Sequence, residues 1–133
     1  MVLSFDAIKR TLKLKGYDEG LDSLSIDREG FKALINTILE IAPFNETEYL
    51  SLHPDVKQAV EKGDFESGKQ HYCLCGFYEN RFPGYGDFDP LEYARAHPDL
   101  HPLINEQNWA ELLRNHFRDA GYREGRKSGS KTA

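Results

Sequence analysis

His-Pro-Asp occurs twice in this chain, at 53–55 and again 44 residues later at 97–99. The triplets belong to a longer correspondence. Phe44 aligns with Phe88, Tyr49 with Tyr93, Val56 with Leu100 and Phe65 with Trp109. After one inserted residue, His71 meets His116, Gly76 meets Gly121, Glu79 meets Glu124 and Arg81 meets Arg126. A period of 44 to 45 residues is in the range of helical repeat units, which stack because one unit cannot bury its apolar face alone. The chain is therefore expected to contain two like copies of a helical unit.

Each copy reads as three helices. "NETEYLSL" and "DPLEYARA" are short helices opened by Asn45 and Asp89, with Pro90 where a first-turn proline belongs. His53 and His97 end them, because a residue before proline avoids the α region. Pro54 and Pro98 begin the second helix, and Asp55 and Asp99 lie in its first turn, where a carboxylate meets the positive end of the dipole. The closing helix, "FESGKQHYCLCG" or "WAELLRNHFRDAG", is expected to end at Gly76 or Gly121 in a left-handed cap. On this reading Tyr49, His53, Pro54, Asp55, His71, Gly76 and Arg81 are scaffold residues of the first copy. Tyr93, His97, Pro98, Asp99, His116, Gly121 and Arg126 repeat them in the second.

Ahead of the copies, Phe5, Ile8 and Leu12 form an apolar stripe at helical spacing, capped by Ser4 or Asp6 and stopped at Gly16. Lys9, Arg10, Lys13 and Lys15 make this helix basic, and a solvated face is the default for such a run. An acidic loop follows, and Asp27 caps a second helix with Phe31, Leu34, Ile35, Ile38 and Leu39 on one face. Residues 1–42 thus read as a helical hairpin.

The motifs "YLSLHPDV", "HYCLCGFYENR", "YARAHPDL" and "HFRDAGYREGR" resemble a short bacterial tandem helical repeat. Its members read roughly Tyr-Leu-x-x-Asn-Pro-Asp-Val, then His-Tyr-x-x-x-Gly-x-x-Glu-Gly-Arg. The resemblance covers about residues 44–126. It implies an accessory segment of the kind found beside glycosyltransferase and methyltransferase domains and in bacterial surface proteins, and it implies no catalytic residue. His53 and His97 stand where the pattern has asparagine, and Asn80 stands where it has glycine. Asparagine tolerates the left-handed conformation that glycine would supply.

Several sharper chemistries fail on spacing. His71, Cys73 and Cys75 spell His-x-Cys-x-Cys, but alternate residues of a helix point apart, so the three do not converge on one ion or pair as a disulfide. The second copy has Arg118 and Ala120 at the cysteine positions. A nucleophile, a base and an orienting group show no local signature, and duplicated histidines fit scaffold better than catalysis. His71 and His116 are expected to be buried and bonded to backbone carbonyls. Asp22-Ser23-Leu24 looks like the pantetheine-attachment triplet of acyl carrier proteins, yet the loop is short and Gly30 interrupts the helix after it. Glu79 with Arg81, and Glu124 with Arg126, read as a repeated ion pair.

The connector "FYENRFPGYGDFDP" concentrates Phe77, Tyr78, Phe82 and Tyr85. Burial between the copies is the first reading; an exposed platform for a partner protein or a sugar ring is the functional one. The net charge of -5 argues against a general nucleic-acid binder. No apolar run reaches the length of a membrane span, and two cysteines placed too poorly to form a disulfide with each other fit a reducing compartment.

The expectation is an all-α protein: a hairpin at 1–42, a first copy with its connector at 43–86, a second copy at 87–126 and a flexible tail at 127–133. Its expected role is that of a non-catalytic cytoplasmic adaptor or regulator, with no cofactor, no metal and no membrane span. A protein partner would be held at Phe77, Tyr78, Phe82 and Tyr85. The alternatives are a carbohydrate-binding or polysaccharide-biosynthesis accessory protein and a small metal protein or enzyme. The sequence names neither the partner nor the oligomeric state.

Overall fold

The structure, a computed structural model, describes residues 3–128. It is all-α: apart from one isolated bridge between Lys15 and Ser25, the regular structure among the described residues is helical. No helix among them is long and apolar enough to cross a membrane. The chain divides into two compact units, one up to Pro43 and one from Phe44 onward. Residues 129–133 of the expected tail lie outside the described residues.

In the first unit, Ser4 opens α1 (Phe5–Leu12) by accepting from the Ala7 amide at 3.1 Å. The helix ends four residues ahead of Gly16, its expected stop. Lys13 itself turns left-handed, with φ of 49°. Its amide donates to the Arg10 carbonyl and that of Leu14 to the Lys9 carbonyl, the crossed pair of a Schellman turn. Gly16 serves the next turn instead, at φ of 97°. Lys15 and Ser25 then exchange two backbone hydrogen bonds, and Asp27 caps α2 (Arg28–Ile41) by accepting from the Gly30 amide. The helix begins after Asp27, so Ser23 of the carrier-like triplet stands in the loop and not at a helix start. Gly30 marks where the two helices touch, since a Cβ there would run into the Thr11 carbonyl.

In the second unit, the first copy comprises α3 (Glu46–Leu52), α4 (Pro54–Glu61) and α5 (Gly68–His71). Asn45 caps α3 through the Glu48 amide and Ser67 caps α5 through the Gln70 amide. The second copy comprises α6 (Pro90–Ala96), a helix over Pro98–Asn105, α7 (Trp109–His116) and the short α8 (Tyr122–Glu124). Asp89 caps α6 through the amides of Leu91 and Glu92. The copies differ in their second helix: Pro98–Asn105 is a 3-10 helix with Pro102 inside it. In an α-helix the Pro102 ring would clash with the carbonyl four residues back, and it has no amide to give.

Both closing helices depart from expectation in the same way. Neither Gly76 nor Gly121 is a left-handed cap. Each ends a π-helical turn, Tyr72–Gly76 or Phe117–Gly121, and Gly121 has ordinary helical φ of -57°. A Cβ at Gly76 would fall on the Tyr49 hydroxyl, and one at Gly121 on the Tyr93 hydroxyl. Glycine is required because a buried tyrosine ends against the helix backbone. The left-handed residues come four positions later, Asn80 at φ of 60° and Gly125 at 72°. The core cluster of the second copy, Tyr93, Leu100, Leu113 and Phe117, takes in Phe82 from the connector.

Candidate functional site

The duplicated residues form a clasp that closes each copy. The Tyr49 hydroxyl and His71 Nδ1 are 2.9 Å apart, as are the Tyr93 hydroxyl and His116 Nδ1. Both tyrosines are fully buried. Burial keeps the Tyr49 phenol protonated, raising its pKa far above the usual value, and lowers that of His71, so the pair stays uncharged near neutrality. The expected carbonyl bonds belong instead to the other histidines. His53 Nε2 lies 3.0 Å from the Phe82 carbonyl and His97 Nε2 lies 2.9 Å from that of Lys127, at the start of the expected tail.

The aspartates of the repeated triplet have a role that their helix position does not announce. Arg81 forks onto Asp55, with Nη1 and Nη2 at 2.9 and 2.7 Å, while its Nε reaches Glu79 at 2.8 Å. Arg126 does the same with Asp99, both bonds 2.8 Å, and with Glu124 at 2.7 Å. Two-pronged arginine–carboxylate pairs are strong and directional. The Arg81 guanidinium holds the Asp55 carboxyl at about 2, well below its ordinary value. Histidine, proline, aspartate and arginine thus tie the corner of each copy to the strand of chain leaving it. Asp55 and Arg81 are 26 residues apart, Asp99 and Arg126 are 27. The single inserted residue accounts for the difference.

The connector is mostly interior. Phe82 is 5 % exposed, with its ring against Phe117, Tyr122 and Tyr85. Its assignment to a partner surface is therefore corrected: it is a core residue joining the copies. Tyr85 is half-buried beneath the Arg114 guanidinium, and its amide donates to Glu48 at 2.6 Å. Phe77 is half-buried between Tyr72 and Tyr78. Of the four, Tyr78 alone is classed as exposed, at 38 %. The aromatic platform that a sugar ring would need is thereby taken apart by packing.

What remains outside is a set of positions at which the copies differ. On the closing helices, Cys73 corresponds to Arg118, Leu74 to Asp119 and Tyr78 to Arg123. Leu74 is 61 % exposed. Between the copies lies an open cleft of about 290 Å³. The first copy contributes His53, Glu79, Asn80 and Arg81, together with Phe82; the second contributes Arg118, Asp119 and Arg123. Arg118 grips Asp119 through Nε and Nη2, at 2.8 and 3.1 Å. Sequence reasoning passed over Leu74, Asp119 and Arg123, and used Arg118 only to weigh the cysteines against metal binding. Their signal was the mismatch between copies at neighbouring positions, which an eye set on matches discards.

Cys73 and Cys75 are half-buried, and among the described residues neither forms a disulfide. Among the described residues no three His, Cys, Asp or Glu side chains stand where they would hold a metal ion together. No protein-family model, no curated protein and no solved structure matches this chain.

Proposed function

We propose that this protein is a non-catalytic adaptor or regulator that binds another protein through the outward positions of its two closing helices. The observation that carries the reading is the division of labour between matched and unmatched residues. Matched residues form the clasp and the core, as the Tyr49–His71 and Tyr93–His116 pairs do. Unmatched ones give Leu74 and Tyr78 on the first copy and Asp119 and Arg123 on the second, all exposed. A duplicated scaffold that keeps its interior and varies its face is the arrangement by which stacked helical units present a binding surface. An apolar side chain as open as Leu74 has no use inside its own helix.

The likeness of residues 44–126 to bacterial accessory repeats points the same way, because such segments accompany other proteins and domains. Cys73 and Cys75, which form no disulfide among the described residues, support a reducing compartment, the cytoplasm. The first unit adds open apolar side chains of its own, Ile41 at 86 % and Leu21 at 60 %. The test is affinity capture with the full chain from a lysate of the source organism, beside a Leu74→Ser/Tyr78→Ala bait of unchanged circular dichroism. A protein enriched by the first bait and lost with the second is the expected result. Identical captures from both baits would refute this placement of the surface.

A further inference from the structure

The inter-copy cleft carries charge that the fold does not use. Arg81 is held by Asp55 and Glu79, and Arg118 by Asp119. Arg123 lines the same cleft, is exposed, and has no ion pair among the described residues. Neither Arg118 nor Arg123 belongs to the duplicated scaffold, since the first copy has Cys73 and Tyr78 at those places. With Asp55 and Glu79 on Arg81 and Asp119 on Arg118, Arg123 is the guanidinium of the lining left without a carboxylate partner among the described residues. Asn80, turned left-handed at φ of 60°, adds an amide to the same lining.

Resting on the protein-binding reading above, we propose that this cleft receives a carboxylate side chain from an acidic, partly apolar peptide segment of the partner. Arg123 is the receiving group, with Arg118 beside it. The single unpartnered guanidinium decides between anions. A carboxylate brings one negative charge and is matched by Arg123. A dianionic phosphoryl group would bring its second charge up to Glu79 and Asp119 with no cation left to meet it. The apolar part of the segment follows from what adjoins the cleft. Tyr78 precedes Glu79 in the chain, and Leu74 is exposed on the same closing segment.

Selection of random displayed dodecapeptides on the full chain tests this directly. Arg123→Ser and Arg118→Ser variants, checked for unchanged thermal midpoints, serve as second baits. The wild-type chain is expected to enrich Glu- and Asp-containing peptides with Leu, Phe or Tyr nearby. A representative peptide should bind Arg123→Ser about tenfold more weakly, the worth of one charge-assisted hydrogen bond. Replacing its Glu by Gln should cost a similar factor, added salt should weaken it, and inorganic phosphate should not displace it at equal concentration. Enriched peptides without acidic residues, or equal affinity for wild type and Arg123→Ser, would overturn the carboxylate assignment. Displacement by stoichiometric phosphate, or no enrichment at all, would overturn it too. A partner captured through Leu74 and Tyr78 in the lysate experiment would still stand in any of these cases, so the two readings fail separately.

Discussion

Replacing Gly76 by alanine places a methyl group where the Tyr49 hydroxyl lies. Two opposed effects follow. Alanine in place of a helical glycine is worth about 1 kcal/mol in favour of the fold. Against that stand about 1–3 kcal/mol of overpacking and the loss of the buried hydroxyl–imidazole bond, which leaves His71 Nδ1 unpaired at a cost of about 1–3 kcal/mol. The single change should therefore destabilise the protein by about 1–5 kcal/mol, the sum of these effects. In a Tyr49→Phe background the hydroxyl is gone. The nearest atoms to the new methyl are then the ring Cζ at 3.3 Å and His71 Nδ1 at 3.4 Å, tight but tolerable. There, adding Gly76→Ala should range from neutral to about 1 kcal/mol stabilising, the intrinsic helix term. The two sites should thus couple by about 2–6 kcal/mol, the overpacking and hydrogen-bond terms that depend on the hydroxyl. Urea unfolding of the four chains, followed by circular dichroism and by Trp109 emission, measures the cycle. If Gly76→Ala costs the same with and without the Tyr49 hydroxyl, the account of the glycine is wrong. The Gly121/Tyr93 pair should repeat the result in the second copy, where the same geometry recurs.

Other outcomes follow from the same geometry. Phe82→Ala should cost about 3–5 kcal/mol in urea unfolding, the loss expected of a buried phenylalanine and not of a surface aromatic. Asn80→Gly should stabilise by a few tenths to about 1 kcal/mol, because glycine takes positive φ without strain; a thermal midpoint that falls would contradict it. Asp55 is ionised more readily in the folded chain, at about 2 against an ordinary 3.8. Its contribution is thus present above 3.8 and is lost as pH falls from there toward 2. Asp55→Asn should flatten the pH dependence of stability in that window. His71 has the opposite chemistry with the same direction of loss: a base whose folded pKa is lowered stabilises fully above its ordinary 6.5 and less as pH falls below it. Its ring resonances should accordingly show the neutral form at pH values where a free histidine is already half charged.

The sequence was most informative where chemistry is local. Asn45, Asp89, Asp27 and Ser4 are caps because a short polar side chain before a helical run has one good use, and each accepts the expected amide. The proline corners are of the same kind. Gly76 and Gly121 misled because glycine near a helix end usually means a left-handed cap. The reason for these two lies in a tyrosine 27 or 28 residues upstream, which no local pattern displays. The histidines exchanged roles for a similar cause: which of two rings meets a carbonyl depends on where the chain returns, beside the corner that the Asp–Arg fork also grips. Pro102, four residues after Pro98, was in plain view and went unread, and it carries the 3-10 helix with it. The cleft was hidden differently. It is made of the positions where the copies disagree, and repeat detection is built on agreement.

The central claim is that a partner protein sits on the unmatched face of the closing helices. A photo-crosslinking residue placed in turn at Leu74, Arg123 and the exposed Gln58 of α4, in the full chain within cells of the source organism, tests it most directly. The account predicts one and the same protein adduct from positions 74 and 123 and none from 58. Adducts of equal yield from all three positions, or none from 74 and 123 in a folded chain, would contradict it.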